Sequence, residues 1–115
     1  MKEPLQLTSL NQFELANAIQ LALFRKSIMP DRAKAALEAA DDDLLTGAAV
    51  LSPCDWAAVH GRSLRLAKQY TGIGGYRGFD ILHVATALEL GAKEFLTFDG
   101  QQKSLAKAAG LIVKP

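Results

Sequence analysis

The sequence has a single cysteine, Cys54, among its 115 residues. One cysteine excludes an internal disulfide and a cysteine-rich zinc site, and it is typical of proteins from a reducing compartment. Long apolar runs are also missing, since nowhere do about 18 apolar residues follow one another as a membrane-spanning helix requires. The opening segment MKEPLQLTSL lacks the apolar core of a signal peptide. We therefore expect a cytoplasmic protein with no membrane segment.

An excess of charge of one sign is absent as well. The chain has 13 lysine and arginine residues against 12 aspartate and glutamate residues, and its formal net charge is +1. Bulk charge therefore cannot hold a nucleic acid, and such a partner must be bound by a local basic face. Apolar residues, in contrast, make up 50% of the chain. Without a linker or an internal repeat, this composition predicts one globular domain over residues 1–115.

The start of the chain predicts a strand followed by a helix. Residues 5–10 alternate apolar and polar side chains, which is typical of a strand. Ser9 with Gln12 three residues later has the form of a capping box, and Asn11 is an alternative cap. Apolar residues then recur at helical spacing over residues 13–26.

The next segment predicts a second helix and a second strand. Pro30 marks the start of an alanine-rich helix over residues 31–40. The aspartate run 41–43 would oppose the dipole at the end of that helix, so we expect the helix to stop there and the run to lie in a solvated turn. Residues 48–52 are apolar and predict a short strand.

The second half of the chain predicts further alternation of helix and strand. Asp55 precedes a long helix, and the glycine-rich segment TGIGGYRG (71–78) is typical of a loop. One face of the long helix carries Trp56, Val59, Ser63, Leu66, Ala67 and Tyr70. The elements that follow are a helix over 80–90 that ends at Gly91, a buried strand over 95–98, a helix over 101–109 and a strand over 111–113. This order predicts an α/β fold with a mainly parallel sheet.

Three acidic residues are candidates for a metal site. Asp99 closes the strand FLTFD, Glu14 follows the opening strand, and Asp80 lies at the start of a helix. In a parallel sheet, ligands bind beyond the C-terminal ends of the strands, and carboxylates gathered there favour Mg²⁺ or Mn²⁺. Such a site suits phosphodiester hydrolysis. Two alternatives stay open, since Asp80 and Asp99 also fit helix N-terminal acids and Glu14 a solvated surface acid.

Two segments resemble a known family. The segment RGFDILHVATALELGAKEFLTFDGQQKSLAKAAGL (77–111) resembles the C-terminal half of a PIN domain of the VapC toxin type, and LTSLNQFELANAI (7–19) is similar to the family's strand and acid-bearing helix. The resemblance implies a three-layer α/β/α fold whose acidic residues bind Mg²⁺ or Mn²⁺ and cleave RNA. It implies that Glu14, Asp80 and Asp99 match three of these acids, and that Thr97 matches a small polar residue beside them.

The resemblance also has a gap at its start. The family opens with a strand that ends in its first metal-binding aspartate, whereas here the only acid before Glu14 is Glu3, which stands next to Pro4. The resemblance therefore implies an N-terminally truncated PIN-like domain, a metal-dependent endoribonuclease and toxin of a toxin–antitoxin pair, with activity lowered by the missing aspartate. The alternative is a non-catalytic PIN remnant that binds an antitoxin protein or a second copy of itself.

A missing central strand would leave sheet edges and apolar helix faces uncovered. Such surfaces normally find a partner. We therefore expect a homodimer or larger symmetric assembly that buries residues 13–26.

The remaining candidates have competing explanations. Four basic residues can contact an RNA backbone, although a solvated amphipathic face also explains them: Arg62, Arg65, Lys68 and Arg77. His83, one turn after Asp80, can orient a carboxylate or be structural. Cys54 has no histidine near it in sequence and is interpreted as a core or capping residue rather than a nucleophile.

Overall fold

A computed structural model describes residues 3–115, so the first two residues of the opening segment lie outside the described residues. The chain divides into two compact units, Met1–Pro53 and Cys54–Pro115. Each unit contains a pair of short parallel strands together with helices. The expected α/β fold with parallel strands is confirmed, and the single domain over residues 1–115 stays a prediction.

The first unit has the order strand, helix, helix, strand. Its elements are β1 (Leu5–Leu7), α1 (Ser9–Phe24), α2 (Pro30–Thr46) and β2 (Ala49–Leu51). Strands β1 and β2 pair in parallel, with Leu5 opposite Ala49. The two helices lie between these strands in sequence, as a parallel pair requires, because its ends cannot be joined by a tight turn.

Helix α1 begins one residue earlier than the predicted capping box implies. Thr8 is the N-cap, and its backbone N–H donates to Asn11 Oδ1 at 2.8 Å while the Asn11 N–H donates to Thr8 Oγ1 at 3.5 Å. The box predicted on Ser9 and Gln12 is therefore wrong. Because the cap fixes the start of the helix at Ser9, the strand ends at Leu7 rather than at residue 10.

Helix α2 is longer than predicted. It runs through the aspartate run 41–43, which lies on exposed helical backbone rather than in a turn. Exposure to water screens the unfavourable contact with the dipole, so three carboxylates did not end the helix. The helix ends instead at Gly47, which has φ of 83°, a left-handed conformation that glycine adopts without strain.

The second unit is built mainly from helices. Its elements in order are α3 (Trp56–Leu66), a π-helical turn (Ala67–Thr71), the single turn α4 (Gly72–Gly74), α5 (Gly78–Glu89), β3 (Glu94–Leu96), α6 (Gly100–Ala108) and β4 (Ile112–Lys114). The expected glycine-rich loop is thus irregular only at residues 75–77. Strands β3 and β4 pair in parallel, with Glu94 opposite Ile112.

The core of the second unit lies between helices α3, α5 and α6. Its buried residues are Val59, Leu66, Ile81, Val84, Ala85, Leu105, Ala106 and Leu111. Strand β3 contributes less than expected: it ends at Leu96, and the side chains of Leu96 and Phe98 are 56% and 85% exposed. The prediction of a buried strand over 95–98 is therefore wrong, because β3 pairs with β4 in a sheet of two strands and offers little surface to cover.

The turn before α5 depends on a glycine. A Cβ added to Gly74 would overlap the ring of Tyr76, whose hydroxyl forms a hydrogen bond with Ser104 Oγ at 2.8 Å. At Gly72, which has φ of −60°, an added Cβ would meet no atom within 4 Å. The two glycines are therefore a matched pair for testing how Tyr76 packs.

We expect Gly74→Ala to lower the free energy of unfolding by about 1–3 kcal/mol, because the new methyl group pushes the Tyr76 ring out of place. The control Gly72→Ala should be neutral or stabilising by about 0.4–1 kcal/mol, since alanine restricts the unfolded chain without a clash. Urea unfolding of both variants measures the difference. Equal stabilities would contradict the packing of Tyr76 over Gly74.

Candidate metal centre

Asp80 lies in the first turn of α5 and is 2% exposed. Its Oδ2 accepts hydrogen bonds from the backbone N–H and the Nε–H of Arg77, each at 3.3 Å. The first turn of a helix favours a carboxylate, because its free N–H groups carry partial positive charge. Local sequence thus places this acid at a helix start and gives it a nearby cation.

Asp99 lies three residues after the end of β3 and is the N-cap of α6. Its Oδ1 accepts from the backbone N–H groups of Gln101 and Gln102 at 2.8 and 3.0 Å. Thr97 fixes the approach to this cap, because its buried hydroxyl accepts from the Asp99 N–H at 3.1 Å and donates to Gln102 Oε1 at 2.8 Å. The cap occupies one carboxylate oxygen of Asp99 and leaves Oδ2 for another partner.

Arg77 joins the two carboxylates. Its Nη2 lies 3.5 Å from Asp99 Oδ2, and its Nε lies 3.3 Å from Asp80 Oδ2. Asp80 and Asp99 come from different helices, and the structure brings them to the same guanidinium, whose side chain is 74% exposed. The sequence analysis did not predict either ion pair of Arg77 and considered this residue only for contact with RNA. For the pair of Arg77 with Asp80, the spacing of three residues at a helix start was a signal in the sequence.

A family model for the PIN domain matches residues 2–108, which is almost the whole chain. The chain belongs to the PIN domain family. Membership implies a nuclease-type fold, and PIN domains generally depend on a divalent metal. No curated protein matches the chain significantly. Among residues 3–115 of this PIN domain, each helix is too short or too polar to cross a membrane.

The donor atoms at Asp80 and Asp99 fit a hard divalent cation in kind. Both residues offer carboxylate oxygens, the ligands that Mg²⁺ and Mn²⁺ prefer, and both already face one positive group. Glu14 belongs to the first unit, where it lies half-buried on α1. Within residues 3–115, no group of three or more His, Cys, Asp or Glu side chains is assembled for a metal.

The basic residues of α3 and the π-helical turn differ in their surroundings. Arg65 and Lys68 are exposed, which fits both of the interpretations left open for them, contact with RNA and a solvated face. Arg62 is half-buried, and its Nε lies 2.7 Å from Glu89 Oε1, which holds the side chain against the surface of α5. Arg62 thus offsets the charge of the half-buried Glu89 on α5, and its proposed contact with RNA stays a prediction.

Cys54 shows no sign of an activated thiol. Burial raises its pKa, and the carboxylates of Glu89 and Asp55 raise it further. A raised pKa keeps the thiol protonated at neutral pH, and the protonated form is a poor nucleophile. This agrees with the sequence interpretation of Cys54 as a structural residue. The two histidines differ in exposure, with His60 exposed and His83 half-buried on α5.

The N-cap role of Asp99 can be measured separately from any role in binding. We expect Asp99→Ala to lower the free energy of unfolding by about 0.5–2 kcal/mol, since two backbone N–H groups lose their acceptor. Asp99→Asn keeps an oxygen in the Oδ1 position and should lose much less stability. Urea unfolding compares the two variants. Equal losses would show that the charge beside Arg77, and not the cap, is the stabilising contribution.

Proposed function

We propose that this PIN domain is a metal-dependent endoribonuclease of the VapC toxin type. The observation that supports it most strongly is the meeting of Asp80 and Asp99 at one guanidinium. Two carboxylates that face a single positive group keep a net negative charge between them, and a divalent cation is a natural neutraliser of such a group. We further propose a cytoplasmic location, which the free thiol of Cys54 supports.

In this proposal Asp80 and Asp99 hold Mg²⁺ or Mn²⁺, and the role of Glu14, which belongs to the first unit, stays a prediction from the sequence. The bound ion would polarise a phosphoryl oxygen and lower the pKa of a water for attack on the phosphodiester. The protein side chains position the two carboxylates. Thr97 positions Asp99 through its hydrogen bond to the Asp99 N–H, and Gln102 keeps the Thr97 hydroxyl in place. The buried environment of Asp80 fixes its carboxylate in one orientation.

The RNA backbone would be bound by a local basic surface. Arg65 and Lys68 are exposed one turn apart and can contact phosphates without breaking a described ion pair. Arg62 and Arg77 already have carboxylate partners, so contact with RNA would cost them those ion pairs. Because the net charge of the chain is only +1, this contact should be weak and sensitive to salt.

The shared metal site predicts a specific loss of Mn²⁺ binding. We expect the unchanged chain to bind Mn²⁺ weakly, and the double variant Asp80→Asn with Asp99→Asn to lose that binding while it stays folded, since the amides keep the shape and remove the charge. Titration calorimetry measures the affinity, and circular dichroism checks the fold. The matched control is Asp41→Asn with Asp42→Asn, which removes the same charge from the exposed face of α2.

The same variants decide the nuclease proposal. Mg²⁺-dependent cleavage of single-stranded RNA should disappear with Asp99→Asn and persist in the α2 control. Equal Mn²⁺ affinity in the Asp80 and Asp99 double variant would overturn the shared site. Cleavage that survives in that variant would overturn the assignment of these residues to catalysis.

A second function is favoured by the surface of α1. This helix has no buried residue, and it exposes several large apolar side chains, among them Phe13 at 62% and Phe24 at 81%. Exposed apolar patches of this kind mark sites of protein association. The alternative function is therefore a non-catalytic module that binds a second copy of itself or a small antitoxin protein through α1.

Self-association through α1 has a direct test. We expect light scattering at micromolar concentration to give the mass of a homodimer or larger assembly, and Phe24→Asp to shift it toward the monomer, because a charge on α1 opposes burial. Ile73→Asp is the control, since Ile73 is an apolar residue that is also largely exposed but lies on α4. A monodisperse monomer that melts cooperatively would contradict the association.

A further inference from the structure

The contacts of Arg77 use the same oxygen atoms that a metal would need. On Asp99, Oδ1 already accepts two backbone N–H groups of α6, so Oδ2 is the oxygen left over, and Arg77 Nη2 lies 3.5 Å from it. On Asp80, Arg77 contacts Oδ2 through both its backbone N–H and its Nε. The guanidinium therefore lies where a cation shared by the two carboxylates would bind.

The contacts of Arg77 with the two carboxylates are long. Its contacts of 3.3 and 3.5 Å are longer than the roughly 2.7–2.9 Å of strong ion-paired hydrogen bonds. By comparison, Arg62 Nε lies 2.7 Å from Glu89 Oε1 in a pair whose two members are each half-buried. The Arg77 side chain is 74% exposed and can turn into solvent without unpacking the core.

The partners of Arg77 cannot move in the same way. Asp80 is buried in the first turn of α5, and Asp99 is tied to the backbone of α6. A buried carboxylate without an opposite charge is costly, so some cation must stay beside Asp80. The arrangement thus combines two fixed acids with one removable positive group.

We propose that Arg77 is the resident counter-cation of the metal site, and that a divalent ion binds by displacing its guanidinium. This inference rests on the proposed metal site at Asp80 and Asp99. Arg77 is then a positioning residue: it keeps the two carboxylates together while no metal is bound, and it competes with the metal for them. Competition lowers the apparent affinity for the ion, since binding must first break two ion pairs.

Substitution of Arg77 tests whether its guanidinium competes with the metal ion for the two carboxylates or helps to bind it. We expect Arg77→Met to lower the Kd for Mn²⁺ on the order of tenfold, because a positive charge a few ångströms from the ion is removed. Arg77→Lys keeps the charge and should bind Mn²⁺ much as the unchanged chain does. Arg32→Met is the matched control, since it removes the same charge from an exposed position on α2 and should leave the Kd nearly unchanged. Titration calorimetry measures all four proteins.

A second measurement follows the metal-free state. In the presence of EDTA, Arg77→Met should melt at a lower temperature than the unchanged chain, since Asp80 loses its counter-charge, whereas Arg32→Met should not. Saturating Mn²⁺ should remove most of that difference, because the ion replaces the lost charge. A merely structural role for Arg77 would lower the melting temperature equally with and without Mn²⁺.

The outcomes distinguish this inference from the proposed function. Weaker or equal Mn²⁺ binding by Arg77→Met, with binding intact in the unchanged chain, would overturn the competition and leave the metal site standing. Binding by Arg77→Met alone would support competition strongly. Absence of Mn²⁺ binding in every protein would overturn the metal site itself, and the role of Arg77 with it.

Discussion

The burial of the Asp80 carboxylate is the constraint on which the candidate site depends. At 2% exposure this group has almost no water around it, so the protein must supply hydrogen bonds and positive charge. Arg77 supplies both, because its backbone N–H and its Nε–H donate to Asp80 Oδ2, and the first turn of α5 adds partial positive charge. The position of Asp80 therefore fixes where α5 begins and where Arg77 must lie, and Arg77 in turn reaches Asp99.

In the second unit, the residues that form the apolar core are different from the groups that hold Asp99. Its apolar core lies between α3, α5 and α6, whereas Asp99 is held by polar contacts at the start of α6, three residues after β3. Thr97 and the first N–H groups of α6 determine the orientation of Asp99, and none of these contacts depends on the width of the sheet. A two-stranded sheet that leaves Leu96 and Phe98 exposed can therefore still position this acid.

Local signals explain which features the sequence could predict. Asp55 predicted where α3 starts, and the alternative interpretation of Asp99 as a helix N-terminal acid matches the start of α6, because an N-cap acts over a few residues. Gly91 marked the end of α5 for the same reason. The error at the aspartate run 41–43 came from giving helix polarity too much weight at an exposed site. The contact of Arg77 with Asp99 joins residues from different elements, and no local pattern reveals it.

The two arginine pairs of α5 differ in charge balance, and this difference supports the proposed metal site at the N-terminal end of the helix. At the C-terminal end, Glu89 opposes the helix dipole, and Arg62 offsets it one to one in a tight contact between two half-buried groups. At the N-terminal end, the dipole already favours Asp80, yet Arg77 faces a second acid as well. The first pair is balanced in charge and burial. The second leaves negative charge on two carboxylates beside one exposed cation, and a divalent ion would neutralise that charge.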